Sequence, residues 1–408
     1  MGADAARLQI LIVGGGLAGL AAASFLREKH EVTVLERSKL DFSRNDYAMS
    51  IAPNTHRLLL DQGIEDSQLK ASPMTYVWRG GSDGKVLSES LSESLARFGA
   101  TTIFTRRSRL HAALHGLATG DSRPGQPARI IEEVKISKVD VAGGMIKAES
   151  GETYRGDLII GADGINSAVR AAVLLANSDS VNGAAPLLTG VAAYQCTVPI
   201  DVLRDDPSLE FATGEKSGMG SFHGSEPRTR VLFFPADEEN LQVVAYHPEN
   251  DWVAQFEQSG SSIIKDIPAE RAVQDFLEFH PSLQNLLTSA TTRDVWRIRD
   301  LAQLPKWHSG KAIPDRRCRA CCYSAFWSGM QYCHRGWRGA RLLPRKPSIR
   351  GTDTCSARIF RDDPYPSRAY GAVSVSSCRW TADRGRAEEC GTVQLPGVRG
   401  KTLWIYFR

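Results

Sequence analysis

The feature that most constrains this chain is an aliphatic run followed at once by a cluster of glycines near the N-terminus. Leu8–Val13 is typical of a parallel strand buried on both faces. Gly14-Gly-Gly-Leu-Ala-Gly19 follows directly. Residues 20–29 then predict a helix rich in Ala and Leu, and residues 31–35 predict a second strand. This order predicts a βαβ unit, in which a helix connects two parallel strands.

Each glycine of this turn has a separate role if the unit binds a dinucleotide. Gly14 permits the tight turn, Gly16 lets a pyrophosphate approach the backbone, and Gly19 lets the helix pack close to the strand. The helix N-terminus offers N–H groups and a partial positive charge to the phosphates. Glu36 is placed to accept hydrogen bonds from the adenosine ribose hydroxyls, which favours FAD or NAD over NADP. Arg37, the next residue, belongs to the same predicted site.

A second strand and turn occur near the middle of the chain. Asp157–Gly161 predicts a buried strand, and it continues into Ala-Asp163-Gly164 and a helix that includes Arg170. This stretch resembles the Gly-Asp motif of the class A (single-component) FAD-dependent aromatic hydroxylases, the salicylate-hydroxylase-like monooxygenase family. The resemblance implies FAD as cofactor, with Asp163 and Gly164 near its pyrophosphate and Asp163 assisting the use of NADH or NADPH.

Three further stretches resemble the same family. Ala48–Asn54 resembles the segment that passes the flavin, which makes Ala48 a candidate cofactor contact. Phe104–His111 resembles the family's His-Arg-x-x-Leu element, with Arg107 reaching the flavin side of the cofactor. Trp296–Trp307 resembles the segment that leads into the last cofactor strand. The resemblance therefore covers about residues 8–313. Alternatively, Arg107 and its basic neighbours form a solvated cluster without a role in cofactor binding.

The middle of the chain predicts a different kind of sheet. Residues 191–198, 231–234 and 241–246 are apolar or alternating and predict antiparallel strands that cover the substrate. Many fungal members of the family carry an Arg and a Tyr in two of these strands as substrate-handling residues. This chain has Gln195 and Phe234 there. The resemblance therefore assigns no catalytic residue.

These motifs predict an α/β fold: a doubly wound, Rossmann-type FAD-binding domain interleaved in sequence with a mixed-sheet substrate domain. The predicted segments are 8–75 (FAD-binding βαβ part), 76–100 (first substrate-domain insertion), 101–180 (FAD-binding part with the Gly-Ala-Asp-Gly motif), 181–290 (substrate-domain sheet and helices), 291–313 (return to the FAD domain) and 314–408 (aberrant tail).

The composition changes abruptly near Ile313. Residues 1–313 carry 32 Lys and Arg against 39 Asp and Glu, whereas residues 314–408 carry 18 against 7. Seven of the eight cysteines also lie in the second stretch. Cys196 is the single cysteine before it, and no secretory signal or membrane span is visible, so we expect a cytoplasmic protein in a reducing compartment.

The family's third cofactor motif, Gly-Asp-x-x-His-x-x-x-Pro-x-x-Gly-Gln-Gly, is absent after Ile313. Degenerate codons for Pro314–Trp337, read one nucleotide downstream, permit Leu-Ile-Gly-Asp-Ala-Gly-His-Ala-Val-Thr-Pro-Leu-Phe-Gly-Gln-Gly-Cys-Asn-Thr-Ala-Ile-Glu-Asp-Gly. That is the missing motif with its spacing intact. We therefore hypothesise that the sequence from about residue 314 is translated out of frame, after a one-nucleotide shift or a misplaced exon boundary, and is not natively folded.

Other interpretations of the cysteines and arginines receive less support. Cys318, Cys321 and Cys322 could form part of a zinc knuckle, but no second pair has usable spacing. The 16 tail arginines could bind nucleic acid, but aromatic residues are not interleaved with them at a stacking period. Histidines elsewhere lack ligand spacing. We expect no metal and no nucleic-acid partner.

The predicted function is FAD-dependent monooxygenation of an aromatic or polyketide-like small molecule with NADH or NADPH and O2, in secondary metabolism or aromatic catabolism. One alternative uses the same cofactor for a dehydrogenase or reductase reaction. The other is a catalytically impaired relic, since the third motif is absent. The sequence does not determine the oligomeric state.

Overall fold

The computed structural model describes residues 7–42, 46–177, 185–214, 216–302 and 304–314, and the backbone of 393–394 and 402–403. The hypotheses on the tail, namely the shifted frame, the zinc knuckle and the arginine-rich arm, concern residues that lie outside this description apart from Pro314 and the backbone of 393–394 and 402–403.

A parallel five-stranded sheet forms the cofactor side of the molecule. Its order is β19-β12-β1-β2-β8, and every neighbouring pair is parallel. The strands are β1 (Gln9–Val13), β2 (Glu31–Leu35), β8 (Arg129–Ile131), β12 (Leu158–Gly161) and β19 (Ala312–Pro314).

Layers cover both faces of this sheet, which explains the continuous apolar strands. The helices of this part are α1 (Leu17–Leu26), α2 (Pro53–Asp61), α3 (Asp66–Leu69), α4 (Ser94–Phe98), α5 (Arg107–Thr119) and α6 (Ala168–Ala176). Ile10 and Ile12 of β1 pack with α1 and α5. The intervening Leu11 and Val13 pack on the other face, with α6 and a three-stranded antiparallel sheet. That small sheet contains β9 (Ile136–Asp140), β10 (Met145–Ala148) and β11 (Thr153–Arg155).

Helix α1 differs from its predicted bounds. It begins at Leu17 rather than residue 20 and ends at Leu26 rather than residue 29. The start is earlier because Gly16 already serves as the N-cap, so the helix contains the last glycine of the motif. Arg27 forms the C-cap, and its buried guanidinium donates hydrogen bonds to carbonyls that include Leu117 O and Gly120 O, at the end of α5.

An eight-stranded mixed sheet forms the other side, in the order β17-β18-β13-β16-β15-β14-β5-β6. Its strands are β5 (Tyr76–Gly81), β6 (Val86–Leu91), β13 (Leu187–Pro199), β14 (Gly218–His223), β15 (Arg230–Pro235), β16 (Asn240–Pro248), β17 (Ile263–Ile264) and β18 (Thr292–Asp300). The three strands predicted in the middle region are present as β13, β15 and β16, and they pair antiparallel.

The two faces of this sheet have different neighbours. One face carries Tyr194, Phe222 and Phe233, which pack under helices of the same region. Those helices are α7 (Glu210–Thr213), α8 (Val253–Ser259), α9 (Ala269–Gln274) and α10 (Pro281–Thr288). The opposite face carries Phe234 and Val244, which pack against the cofactor side through a small antiparallel sheet. That sheet contains β3 (Ala48–Ile51), β4 (Ser72–Pro73) and β7 (Ile103–Arg106).

The expected return to the FAD domain at residue 291 is wrong in its first part. Strand β18 pairs with β13 over nine residue pairs, so Thr292–Asp300 belongs to the mixed sheet. Val295 of this strand packs with the helix-covered face of the mixed sheet, and Ile298 packs with the opposite face. The chain rejoins the parallel sheet at β19, which pairs with β12 through Pro314. Among the helices of the described residues, none is long and apolar enough to span a membrane.

Candidate cofactor site

The two glycine turns predicted from sequence meet at one edge of the parallel sheet. β1 and β12 are parallel neighbours, so the turns that follow Val13 and Gly161 leave the sheet side by side. Gly14 has φ of +102°, and a Cβ there would lie 2.5 Å from the carbonyl oxygen of Ala162. Glycine is therefore required at this position, both for its backbone conformation and for the contact between the turns.

The N-terminus of α1 is left open for an anion. Gly16 is its N-cap, and no side chain caps the helix. A Cβ on Gly16 would meet no atom of the described residues within 4 Å. A Cβ on Gly19 would instead collide with the carbonyl oxygen of Gly14. Gly19 thus serves packing, whereas Gly16 leaves room where the first-turn N–H groups and the helix dipole favour phosphate.

Glu36 supports this turn from the end of β2. Its Oε2 accepts a hydrogen bond from the Gly15 N–H at 2.7 Å. Its Oε1 accepts from the N–H and the hydroxyl of Ser38, at 3.1 and 3.0 Å. A carboxylate has about four acceptor positions, so capacity remains for a ribose hydroxyl. Arg37 is exposed.

Asp163 lies beside the first turn but directs its carboxylate to its own helix. Oδ1 accepts from the Ser167 hydroxyl at 2.5 Å, and Oδ2 accepts from the Ala168 N–H at 2.7 Å. Burial raises the pKa of Asp163, and these hydrogen bonds oppose that rise. Its predicted part in binding the pyrophosphate and in NAD(P)H use stays a prediction. Gly164 has φ of +79°, and a Cβ added there would meet no atom of the described residues within 4 Å.

Ala48 and Arg107 form a second group. β3 and β7 pair antiparallel, with Ala48 opposite Arg106. The Arg107 N–H donates to the carbonyl oxygen of Tyr47 at 3.0 Å, and Arg107 begins α5. The Ala48 N–H donates to Oε1 of Gln242 at 2.8 Å. The contact with Gln242 connects β3 to the mixed sheet.

The neighbours of Arg107 are not a purely solvated cluster. Arg106 Nε donates to Asp237 Oδ2 at 2.6 Å, and Arg109 approaches the same oxygen at 3.9 Å. Burial favours a higher pKa for Asp237, but hydrogen bonds from Asn240 and Arg106 outweigh it and lower the pKa. These ion pairs connect α5 to the turn between β15 and β16.

His111 joins the two groups, and sequence reasoning gave it no role. Its Nε2 lies 2.8 Å from the Gly15 carbonyl oxygen. Arg107 precedes His111 by four residues, so both side chains extend from the same face of α5. Arg107 therefore lies on the side of α5 that carries the glycine turn. His111 directly follows Leu110, the last residue of the stretch that matches the His-Arg-x-x-Leu element, and nothing in the sequence indicated its contact with Gly15.

The sheet face next to Ala48 supplies an apolar environment with few polar groups. Phe104 and Phe234 stack with ring centroids 4.9 Å apart. Gln242 is fully buried and donates through Nε2 to Oε1 of Gln195 at 3.1 Å. Tyr246 is also buried on this face, which raises the pKa of its hydroxyl. Gln195 and Phe234 thus lie on the face that meets the cofactor side, at the two positions where the family resemblance implies an Arg and a Tyr.

The donor set around the α1 turn suits a dinucleotide. Within the part of the chain that the structure describes, no group of three or more His, Cys, Asp or Glu side chains could hold a metal. The residues do fit FAD: an uncapped helix N-terminus, space beside Gly16, and an acid at the end of β2.

Comparisons with known proteins agree with this fit. A family model described as an FAD binding domain matches residues 7–242. Hispidin-3-hydroxylase of Neonothopanus nambi is 27% identical over 315 residues, which cover 74% of this chain and 71% of that protein. Salicylate hydroxylase of Pseudomonas putida is 25% identical over 330 residues, which cover 75% and 70%.

A solved structure shares the fold. It is that of Klebsiella pneumoniae HpxO complexed with FAD and uric acid, which superposes with a TM-score of 0.63 at 16% identity. The superposition covers 81% of this chain and 78% of that chain.

Proposed function

The chain belongs to the FAD-binding-domain family and is an FAD-dependent monooxygenase, and from that premise we propose that it hydroxylates an aromatic or polyketide-like small molecule with NADH or NADPH and O2. The observation that carries the proposal is the position of the glycine turn. The turn is linked through His111 and α5 to Arg107 and Ala48, next to an apolar sheet face.

The residues divide the work between cofactor and substrate. The first-turn N–H groups of α1 bind the pyrophosphate, and Glu36 accepts from the adenosine ribose. Arg107 directs its fork of donors to the flavin side. FAD held by these residues would supply hydride uptake from NAD(P)H and activation of O2, with one oxygen atom going to the substrate and the other leaving as water. The protein then supplies placement and a dry cavity for that chemistry.

The mixed-sheet face is suited to a planar, largely apolar substrate. Phe104 and Phe234 stack on each other and form a buried apolar layer behind this face, while the partly buried amide of Gln195 is the polar group that Gln242 holds in place. A hispidin hydroxylase and a salicylate hydroxylase among the relatives act, by their names, on aromatic compounds. We therefore propose a phenolic substrate oriented by neutral hydrogen bonds rather than by a charged partner.

The two alternatives are not favoured. The relatives named above are hydroxylases, which argues against a dehydrogenase or reductase. The match of the family model over residues 7–242 favours an enzyme over a relic. We include a cytoplasmic location and the absence of a nucleic-acid partner in this proposal. The lone, buried Cys196 before residue 314 supports a reducing compartment.

Isotope incorporation tests the proposal. The chain, expressed after deletion of one nucleotide near the Pro314 codon so that the third cofactor motif is restored, is purified, supplied with FAD, NADH or NADPH and 18O2, and incubated with a panel of phenols and aromatic polyketides. We expect one 18O atom in the product and oxidation of one equivalent of NAD(P)H. Substrate oxidation without 18O incorporation, also under nitrogen, would instead identify a dehydrogenase.

A further inference from the structure

The Gly15–Gly16 peptide is the part of the glycine turn that must face a phosphate. In a trans peptide the C=O and the N–H point in opposite directions. The group that holds the Gly15 carbonyl therefore also sets the direction of the Gly16 N–H. A Cβ added to Gly16 would meet no atom of the described residues within 4 Å, so there is space beside this N–H.

His111 holds that carbonyl. Its Nε2 lies 2.8 Å from the Gly15 oxygen across 96 positions of sequence, and the side chain is buried, with 4% exposed. A carbonyl oxygen can only accept, so Nε2 must carry the proton and donate. Nδ1 has no hydrogen-bond partner among the described residues, which fits a neutral ring in the Nε2–H tautomer.

The other side of the same glycine is held by Glu36. Its Oε2 accepts from the Gly15 N–H at 2.7 Å, which fixes the preceding peptide and turns the Gly14 carbonyl toward Gly19. The turn is therefore held at two successive peptides, by an acceptor from β2 and a donor from α5. A hydrogen bond to the Gly15 carbonyl also polarises that peptide and strengthens the Gly16 N–H as a donor.

We propose that His111 is a positioning residue for the phosphate-binding turn: by donating to the Gly15 carbonyl it aims the Gly16 N–H at the pyrophosphate of the cofactor. The role does not require contact between His111 and the cofactor. It also differs from a role in the hydroxylation itself, because it acts on the adenosine diphosphate half of FAD.

The probe is ADP, titrated by calorimetry into the purified full-length chain, so the test does not depend on turnover or on flavin. His111→Leu removes the donor at similar volume, and we expect the affinity for ADP to fall about tenfold, the worth of one hydrogen bond. His111→Gln keeps an N–H donor at a comparable position and should recover most of that loss. His115→Leu is the matched control, since His115 lies on the same helix and contacts the same Phe42 ring.

The melting temperatures of the variants show whether a weaker ADP affinity reflects a loss of folded protein or the loss of the hydrogen bond to Gly15. Weakened ADP binding by His111→Leu, rescue by His111→Gln and unchanged binding by His115→Leu would support the proposal. Three results would overturn it: equal weakening by His111→Gln and His111→Leu, an affinity in His111→Leu within twofold of the unaltered chain, or no ADP binding by the unaltered chain. The proposal can thus fail while hydroxylation stands, and hydroxylation can fail while ADP binding stands.

Discussion

Helices α1 and α6 start at the same edge of the same sheet, yet they use their N-terminal N–H groups in opposite ways. α1 follows β1 through Gly16, which has no side chain to cap it. α6 follows β12, and its first N–H groups are taken by Asp163 and Ser167. A glycine turn after a buried strand therefore does not by itself mark an anion site. What distinguishes the α1 turn is the absence of a capping side chain together with the open space beside Gly16.

A third strand ends at this edge, and it gives the largest predicted effect. β19 pairs with β12, with Ala312 and Ile313 opposite Ile159 and Ile160. The shifted frame would follow this strand with a Gly-Asp turn and a third helix. The family resemblance implies that this helix offers N–H groups to the flavin, a dipole contribution of about 0.3–2 kcal/mol. It also implies that the carboxylate of the Gly-Asp turn holds the ribityl chain.

We therefore expect that deleting one nucleotide near the Pro314 codon yields a yellow, soluble protein, whereas the sequence as it stands yields a weakly soluble and largely colourless one. Absorbance of both purified proteins at the flavin band, relative to protein, measures the difference. Stoichiometric flavin in the unchanged chain, or none in the altered chain, would contradict the shifted frame.

Six strands of the two large sheets, namely β1, β2, β12, β13, β15 and β16, were predicted because their patterns are local. β1 is apolar on both faces because it is covered on both, and β13 and β16 are largely apolar because one face packs under helices and the other against the cofactor side. β6 escaped prediction because all six of its residues, Val86–Leu91, are exposed at a sheet edge. β18 was assigned to the cofactor side because family resemblance placed it there, whereas its strand partner β13 is about 100 residues away in sequence.

The two carboxylates at these turns provide the next test. Glu36→Ala removes an acceptor for the ribose and for the Gly15 N–H. A charge-assisted hydrogen bond is worth about 1.5–3 kcal/mol, so we expect the affinity for FAD to fall by roughly 10- to 150-fold. Asp163→Ala removes a helix cap, so we expect a loss of about 0.5–2 kcal/mol in unfolding free energy and a smaller change in affinity. Fluorescence titration with FAD and urea unfolding measure the two quantities.

If Asp163→Ala weakens FAD binding as much as Glu36→Ala does, the carboxylate of Asp163 contributes to the cofactor as well as to α6. The distinction between the two turns would then be wrong. Unchanged flavin retention by Glu36→Ala would remove the ribose role.

The glycines within the α1 turn sharpen the same contrast. A methyl group on Gly16 enters the space reserved for phosphate, so Gly16→Ala should weaken FAD binding by about 1–3 kcal/mol while the melting temperature of the cofactor-free protein is retained. Gly19→Ala places the methyl group against the Gly14 carbonyl and should lower that melting temperature instead. A loss of cofactor-free stability in Gly16→Ala would show that the space beside it is filled by protein.

The site could be predicted only where one motif contained all its parts. Gly14, Gly16, Gly19 and Glu36 lie within 23 residues of sequence, and the structure brings them together. His111 and Gln242 contact Gly15 and Ala48 across 96 and 194 positions. No spacing rule connects residues so far apart. A buried Gln in an apolar strand was the one available signal for Gln242, because such a side chain must find partners.

The smallest predicted effect concerns the start of α5, where a third helix end lies beside the cofactor side. Its N–H groups are partly taken, since Asp46 Oδ1 accepts from the Ser108 N–H at 2.8 Å. We therefore propose that α5 contributes to cofactor binding through the side chain of Arg107 rather than through its dipole. Arg107→Lys keeps the charge but loses the planar fork, and we expect a loss of FAD affinity of about 0.5–1.5 kcal/mol.

Arg106→Lys should lower the melting temperature and leave FAD affinity nearly unchanged, because Arg106 bonds to Asp237. Equal effects of the two changes on FAD affinity would mean that α5 holds the cofactor through its general positive charge.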